Sequence, residues 1–204
     1  SYLAIDLLPN THKQYIGRLG IKGDRAGNFS LQNADLVISI GCRLSVALTG
    51  FEYDLFARDA KLFVVDIDRN EHKKNTVKID HFIHSDGKNF FKQFSGNYNF
   101  PVWQKACTRW KNLWPVCLPA YKKTKNLINK YAFIDIMQKE LKRDSVVVSD
   151  AGSAYYVTSQ SFQPVKDQRY VTSGAQADMG FTLPAAIGAS FANKGKMIVG
   201  ITGD

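Results

Sequence analysis

An α/β fold built as two successive parallel sheets is what this 204-residue sequence predicts, on three observations. Short, nearly continuous apolar runs of strand length recur at Leu36–Ile40, Leu62–Val65, Ser145–Ser149 and Met197–Ile201. Runs of this kind suit strands covered on both faces, whereas half-exposed strands alternate polar and apolar residues. Segments of helical spacing lie between these runs. The runs also end in glycine or acid, at Gly41-Cys-Arg43, Asp66, Asp150-Ala-Gly152 and Gly203-Asp204. That puts polar groups at the carboxyl edge of a parallel sheet, where open α/β sheets take their ligands.

Composition narrows the function classes. Hydrophobic residues make up 45% and charged residues 22%, as in an ordinary globular protein. No apolar run approaches the roughly 20 residues needed to span a bilayer, and no charged-then-apolar leader opens the chain. A cytoplasmic protein with no membrane partner is expected. The net charge of +9 comes from 27 basic and 18 acidic residues. The lysines are spread along the chain, with short clusters at Lys73-Lys74 and Lys122–Lys125, and no RNA-binding aromatic signature or zinc-finger spacing accompanies them. The balance reads as a solvated surface and not a nucleic-acid interface. Cys42, Cys107 and Cys117 are odd in number and lack a CxxC spacing, which points to a reducing compartment.

In chain order, Gly17, Gly20, Gly23 and Gly27 punctuate a loop whose spacing is not GxGxxG. Leu36–Ile40 is the first strand. Phe51, Leu55 and Phe56 have helical spacing and predict a helix over 51–60. Leu62–Val65 is the second strand, tipped by Asp66 and Asp68, and Asp80–His84 is a third, followed by a helix over 88–94. Residues 1–98 thus read as a Rossmann-like domain that is incomplete at its start, lacking the fold's own first strand. In it Arg43 is a candidate phosphate ligand, and Asp66 or Asp68 a candidate for a ribose hydroxyl. His81 and His84, three apart in a strand, point to opposite faces and share no metal. Residues 99–130 read as a linker with a helix: Trp103, Cys107, Trp110 and Trp114 share one face, and Pro115 and Pro119 end the run. A second domain, 131–204, opens with a helix over 131–142. Its strand 145–149 breaks into Asp150-Ala-Gly-Ser-Ala154, a turn that exposes backbone N–H groups at a helix start and suits phosphate. A glycine-rich turn, a helix beginning near Pro184 and the strand Met197–Ile201 follow, so acids at 150 and 204 bracket one crevice. A carboxylate at the end of the last strand suits Mg²⁺.

The segments SDAGSAYY, YVTSGAQADMGFTLPAAIGASFA and MIVGITGD together resemble the diphosphate-binding domain of thiamine diphosphate enzymes of the acetolactate synthase group. NADLVISIGCRLSVALTGFEYDLFARDAKLFVVDID is similar to their central domain, so the resemblance runs through essentially the whole chain. It implies thiamine diphosphate and Mg²⁺ as cofactors, with Asp204 after Gly203 as a metal ligand. It places Ala151, Gly152, Ser153 and Ala154 against the diphosphate. It makes the carbonyl of Ala177 the acceptor of the aminopyrimidine amino group, and Met179 the wedge that holds the cofactor bent. Ser45 and Ala47 stand where flavin-containing relatives carry an acid and a second arginine, which counts against FAD although Arg43 is kept. The resemblance further implies that the chain is a segment of a longer subunit, inactive alone, because the family's catalytic glutamate lies in an amino-terminal domain. The implied reaction decarboxylates a 2-oxo acid such as pyruvate and transfers the two-carbon unit to a second 2-oxo acid, in a homodimer or homotetramer. A thiamine diphosphate-dependent 2-oxo acid decarboxylase or related lyase, and an NAD- or FAD-binding Rossmann protein, are the alternatives.

Overall fold

The computed structural model describes residues 1–94, 96 and 98–203. Two parallel three-stranded sheets with helices carry the fold, an α/β arrangement as expected. The chain divides into two compact units, one over Leu19–Leu113 and one combining Tyr2–Arg18 with Trp114 onward.

In the first unit, α1 (Arg25–Gln32) starts at Asp24, whose carboxylate accepts from the Gly27 N–H at 2.7 Å. β1 (Leu36–Ile40), β2 (Lys61–Asp66) and β3 (His81–His84) pair in that order, with Leu36 opposite Lys61 and Phe63 opposite His81. Leu31, Phe56, Leu62, Val64 and Val77 form the core. β1 departs from the double-faced burial expected, since Leu36 and Ile38 on one face stay exposed. A single turn, α2 (Val46–Thr49), follows β1, and α3 (Gly87–Gln93) follows β3, capped by the Asp86 carboxylate. α4 (Pro101–Leu113) packs on α1 through Cys107 and the rings of Trp110 and Phe29, 5.6 Å apart.

The helix expected over 51–60 does not form. Tyr53–Leu55 is one 3₁₀ turn, Gly50 and Ala57 adopt φ of 77° and 47°, and Phe51 is 78% exposed. Only Phe56 of the three spaced apolar residues reaches the core, and one anchored position does not sustain a short helix.

In the second unit, α5 (Lys130–Glu140) is capped by Asn129, which accepts from the Tyr131 and Ala132 N–H groups. β4 (Val146–Ser149), buried along its whole length, leads into α6 (Gly152–Ser161). β5 (Arg169–Thr172), α7 (Thr182–Ala192) and β6 (Ile198–Ile201) follow, and β5 and β6 flank β4 on opposite sides, all parallel. The path from β5 to β6 therefore passes over β4. Ile5, Ile134, Val147, Val157, Phe162 and Tyr170 make the core.

These packing units cut the chain differently from a division at residues 98 and 130. Tyr2–Arg18 belong with the second unit, where Ile5 enters the core and Asp6 accepts from Arg169 Nε at 2.7 Å and from the Tyr170 N–H at 3.0 Å. α4, placed by its sequence in a linker, packs in the first unit. Among the described residues no helix is long and apolar enough to cross a membrane.

Candidate functional site

The carboxyl ends of β4 and β6 lie side by side, because Ser149 pairs with Ile201 and puts Asp150 next to Thr202. Asp150 is 2% exposed. Its carboxylate accepts from the Ala151 N–H at 2.7 Å and from the Thr202 hydroxyl at 2.8 Å. Burial alone pushes this carboxyl up. The donors of Ala151 and Thr202, together with the hydroxyl and N–H of Thr182 at the head of α7, outweigh it and hold the group below the ordinary carboxylate range. Asp150 thus locks two strand ends together and spends its charge inside the fold, while Gly203 follows Thr202 into an exposed segment. Asp204, the metal ligand the resemblance implies, lies outside the described residues.

Between Asp150 and α6 the backbone turns through Gly152 at φ 56°, a conformation that costs an L-residue roughly 1–2 kcal/mol and glycine nothing. A Cβ there would meet no atom within 4 Å, so the demand is conformational and the turn is open above. Ala151 caps α6 without a side-chain hydrogen bond. The N–H groups of Gly152, Ser153 and Ala154 head the helix, where the ladder supplies no partner. Lys130 adds an ammonium, whose Nζ donates to Ser153 Oγ at 2.6 Å. Amides, a hydroxyl and a cation at a helix amino end are donors suited to an anion such as a phosphate. At the other end of α6, Arg18 is buried and donates to the carbonyls of Ser159 and Phe162, answering the negative pole.

The loop after β5 carries the other two residues that the resemblance implicates, Ala177 and Met179. The Ser173 carbonyl accepts from the Gln176 and Ala177 N–H groups at 2.8 and 2.7 Å, and Ser173 Oγ accepts from the Asp178 N–H at 3.0 Å. Ala177 itself sits at φ 59°, in the left-handed region that favours glycine. Met179 is 83% exposed, a large apolar side chain clear of the core. The loop meets α6 where Gly174 faces Tyr155. A Cβ on Gly174 would stand 2.7 Å from the Tyr155 ring, which is itself buried against Tyr2 and Tyr156. Gly174→Ala is therefore expected to destabilise the second unit by about 1–3 kcal/mol, read as faster hydrogen exchange along α6. Unchanged exchange there would mean the ring moves freely.

In the first unit the candidate nucleotide residues are otherwise engaged. Arg43 Nε lies 3.5 Å from Glu71, which also pairs with Lys74. The Asp66 carboxylate accepts from the Asp68 N–H at 2.9 Å, and that of Asp68 from the Asn70 N–H at 2.8 Å. Both acids stabilise their own turn. Gly20, at φ 105°, packs so closely on Ala47 that a Cβ would fall 2.3 Å from its carbonyl oxygen, and no described strand precedes this glycine loop. His81 stacks on Phe63 and His84 lies near Phe82, one ring on each face of β3. Among the described residues no group of three or more His, Cys, Asp or Glu side chains could hold a metal. A shallow cavity of about 560 Å³ lies beyond β2 and β3, lined by Ile67, His84, Ser85, Asp86, Asn89 and Lys92 among others.

Three features of this region were not expected from the sequence. Lys130 fell in a basic linker, Arg18 in a glycine-rich loop, and β5 in a stretch read as a turn. Asn129 ahead of an apolar periodicity was a usable signal for a helix start that would bring Lys130 into view.

The family model "Thiamine pyrophosphate enzyme, central domain" matches residues 1–94, and "Thiamine pyrophosphate enzyme, C-terminal TPP binding domain" matches residues 150–204. Among curated relatives, acetolactate synthase isozyme 1 large subunit of Escherichia coli (strain K12) is 30% identical over 99% of this chain and 36% of its own length. The acetolactate synthase large subunits of Cyanidium caldarium and Porphyra purpurea are 31% and 29% identical over 93% of this chain, and 33% and 32% of theirs. The chain spans about a third of the length of these relatives.

Proposed function

This chain belongs to the thiamine pyrophosphate enzyme family, and from that premise we propose that it acts in an acetolactate synthase-type reaction. In that reaction a 2-oxo acid such as pyruvate is decarboxylated and its two-carbon unit is joined to a second 2-oxo acid. The observation that carries the reading is the open amino end of α6 beside the locked ends of β4 and β6.

Bound thiamine diphosphate supplies the electron sink for decarboxylation, and the protein supplies orientation and electrostatics. The N–H groups of Gly152, Ser153 and Ala154, with the turn at Ala151, bind the diphosphate. The Ala177 carbonyl would accept from the aminopyrimidine, and exposed Met179 would offer an apolar surface to the cofactor. Gly203 lets the chain pass close to the phosphates, and Asp204 contributes to a Mg²⁺ site. Asp150 keeps both strand ends in register. FAD is left out of the proposal, since Ser45 and Ala47 offer neither charge. The working assembly is proposed as a homodimer or homotetramer.

Calorimetric titration tests the reading. Thiamine diphosphate with Mg²⁺ is expected to bind saturably, and thiamine without phosphates at least about 10-fold more weakly, the loss of one or two charge-assisted contacts. No binding of thiamine diphosphate at millimolar concentration, or equal affinity for both compounds, would sink it. In the full-length subunit, with pyruvate as sole substrate, release of acetaldehyde in place of a five-carbon product would move the assignment to a decarboxylase.

A further inference from the structure

Lys130 occupies an electrostatically adverse place. It is the first residue of α5, and its side chain crosses to the second residue of α6, where Nζ donates to Ser153 Oγ at 2.6 Å. The ammonium therefore stands at the positive ends of two helices, where cations are disfavoured. Among the described residues no acid lies within ion-pair distance of Lys130: Asp135 on α5 pairs with Lys122 and Lys139, and Asp150, the carboxylate at the head of α6, is held by the Ala151 N–H and the Thr202 hydroxyl. The same groups that repel a cation attract an anion, and an anion at this point would meet amide donors and the ammonium together. An ammonium has three protons, and Ser153 takes one.

We propose that Lys130 is a phosphate-binding residue of this site, which neutralises part of the diphosphate charge and makes the site selective for phosphorylated thiamine. Ser153 is its positioning residue, since the hydroxyl holds the ammonium over the helix end. The proposal rests on the thiamine diphosphate reading above. It adds to that reading a side-chain cation from the preceding helix.

The test uses Lys130→Met, Lys130→Arg and Ser153→Ala in the whole protein, with calorimetric affinities for thiamine diphosphate and for thiamine. Loss of one charge-assisted contact is expected to weaken thiamine diphosphate binding by roughly 10- to 100-fold in Lys130→Met. Thiamine affinity should stay unchanged. Lys130→Arg should recover most of the loss, and Ser153→Ala should lose less than Lys130→Met. Because the methionine removes an adverse charge from two helix ends, its unfolding midpoint should be no lower than that of the parent. If the parent binds thiamine diphosphate and Lys130→Met binds it equally well, the inference fails while the cofactor reading stands. If Lys130→Met loses thiamine affinity in the same proportion, the residue acts on the fold and the inference also fails. If the parent does not bind thiamine diphosphate, the cofactor reading itself fails.

Discussion

Asp150→Ala is expected to lower the stability of the second unit by about 3 kcal/mol, because it removes a buried carboxylate that joins donors beyond the ends of two strands. The Ala151 N–H and the Thr202 hydroxyl each lose a charged acceptor within 2.8 Å, and Thr182 loses one as well. Asp150 is 2% exposed, so the alanine also leaves an unfilled polar space between the strand ends. Asp150→Asn keeps the volume and one acceptor oxygen, so its loss should be nearer 1 kcal/mol. The two-unit chain is not a safe two-state system, so hydrogen exchange at β4 and β6 is the better measure than one global midpoint. Protection at β6 unchanged by the alanine would refute the strand-locking role.

The same group sets a pH dependence. The folded pKa of Asp150 lies below its unfolded value, so the carboxylate contributes stability that is fully present above the unfolded value of about 3.9 and is lost as pH falls through the folded one. The Asp135 carboxyl is likewise lowered, chiefly by its hydrogen bond with Lys122, and adds to the same acid limb. Asp150→Asn should therefore flatten the stability-pH curve below about pH 4 and leave its shape above pH 5 unchanged.

Arg18→Met is expected to cost about 3 kcal/mol and to free the amino-terminal segment. The guanidinium, 3% exposed, is the group that answers the Ser159 and Phe162 carbonyls, and each buried carbonyl left without a donor costs roughly 1–3 kcal/mol. Arg18 Nε also donates to the Tyr15 hydroxyl at 2.9 Å, which ties the segment to itself. Methionine keeps much of the volume, so the loss reads the hydrogen bonds and the charge at the α6 carboxyl end. Lysine in its place should retain part of the stability, as one ammonium can face the carbonyls without the planar fork. Limited proteolysis within residues 2–18 should become markedly faster in the methionine variant. Equal cleavage rates would show that Ile5 and Asp6 alone hold the segment.

Much of the fold was legible because each buried strand is a compact apolar run with a strong terminator. Val146-Val-Val148 and Leu62–Val65 leave little choice, and Gly152 marks a turn that needs positive φ. Shorter signals went unread. Arg169–Thr172 is four residues with an exposed arginine at its head, and it is a strand because β4 offers it a parallel edge. Arg25–Gln32 is short and mostly polar, and it becomes a helix through the Asp24 cap and its packing on α4. Phe51, Leu55 and Phe56 had the right spacing for a helix that no surface was present to bury.

The amino-acid order by itself determined the strands, the glycine turn at 152, the carboxyl-edge acids and the family, because these depend on runs of neighbouring residues. Tertiary structure alone decided which distant groups meet. It brought Arg18 to the end of α6, Asp6 to β5, Thr202 to Asp150 and Lys130 to Ser153, over separations of 23 to 164 residues. Such contacts leave no periodic trace in a sequence: their energy lies in buried donors and acceptors that become partners only once parallel strands are laid side by side.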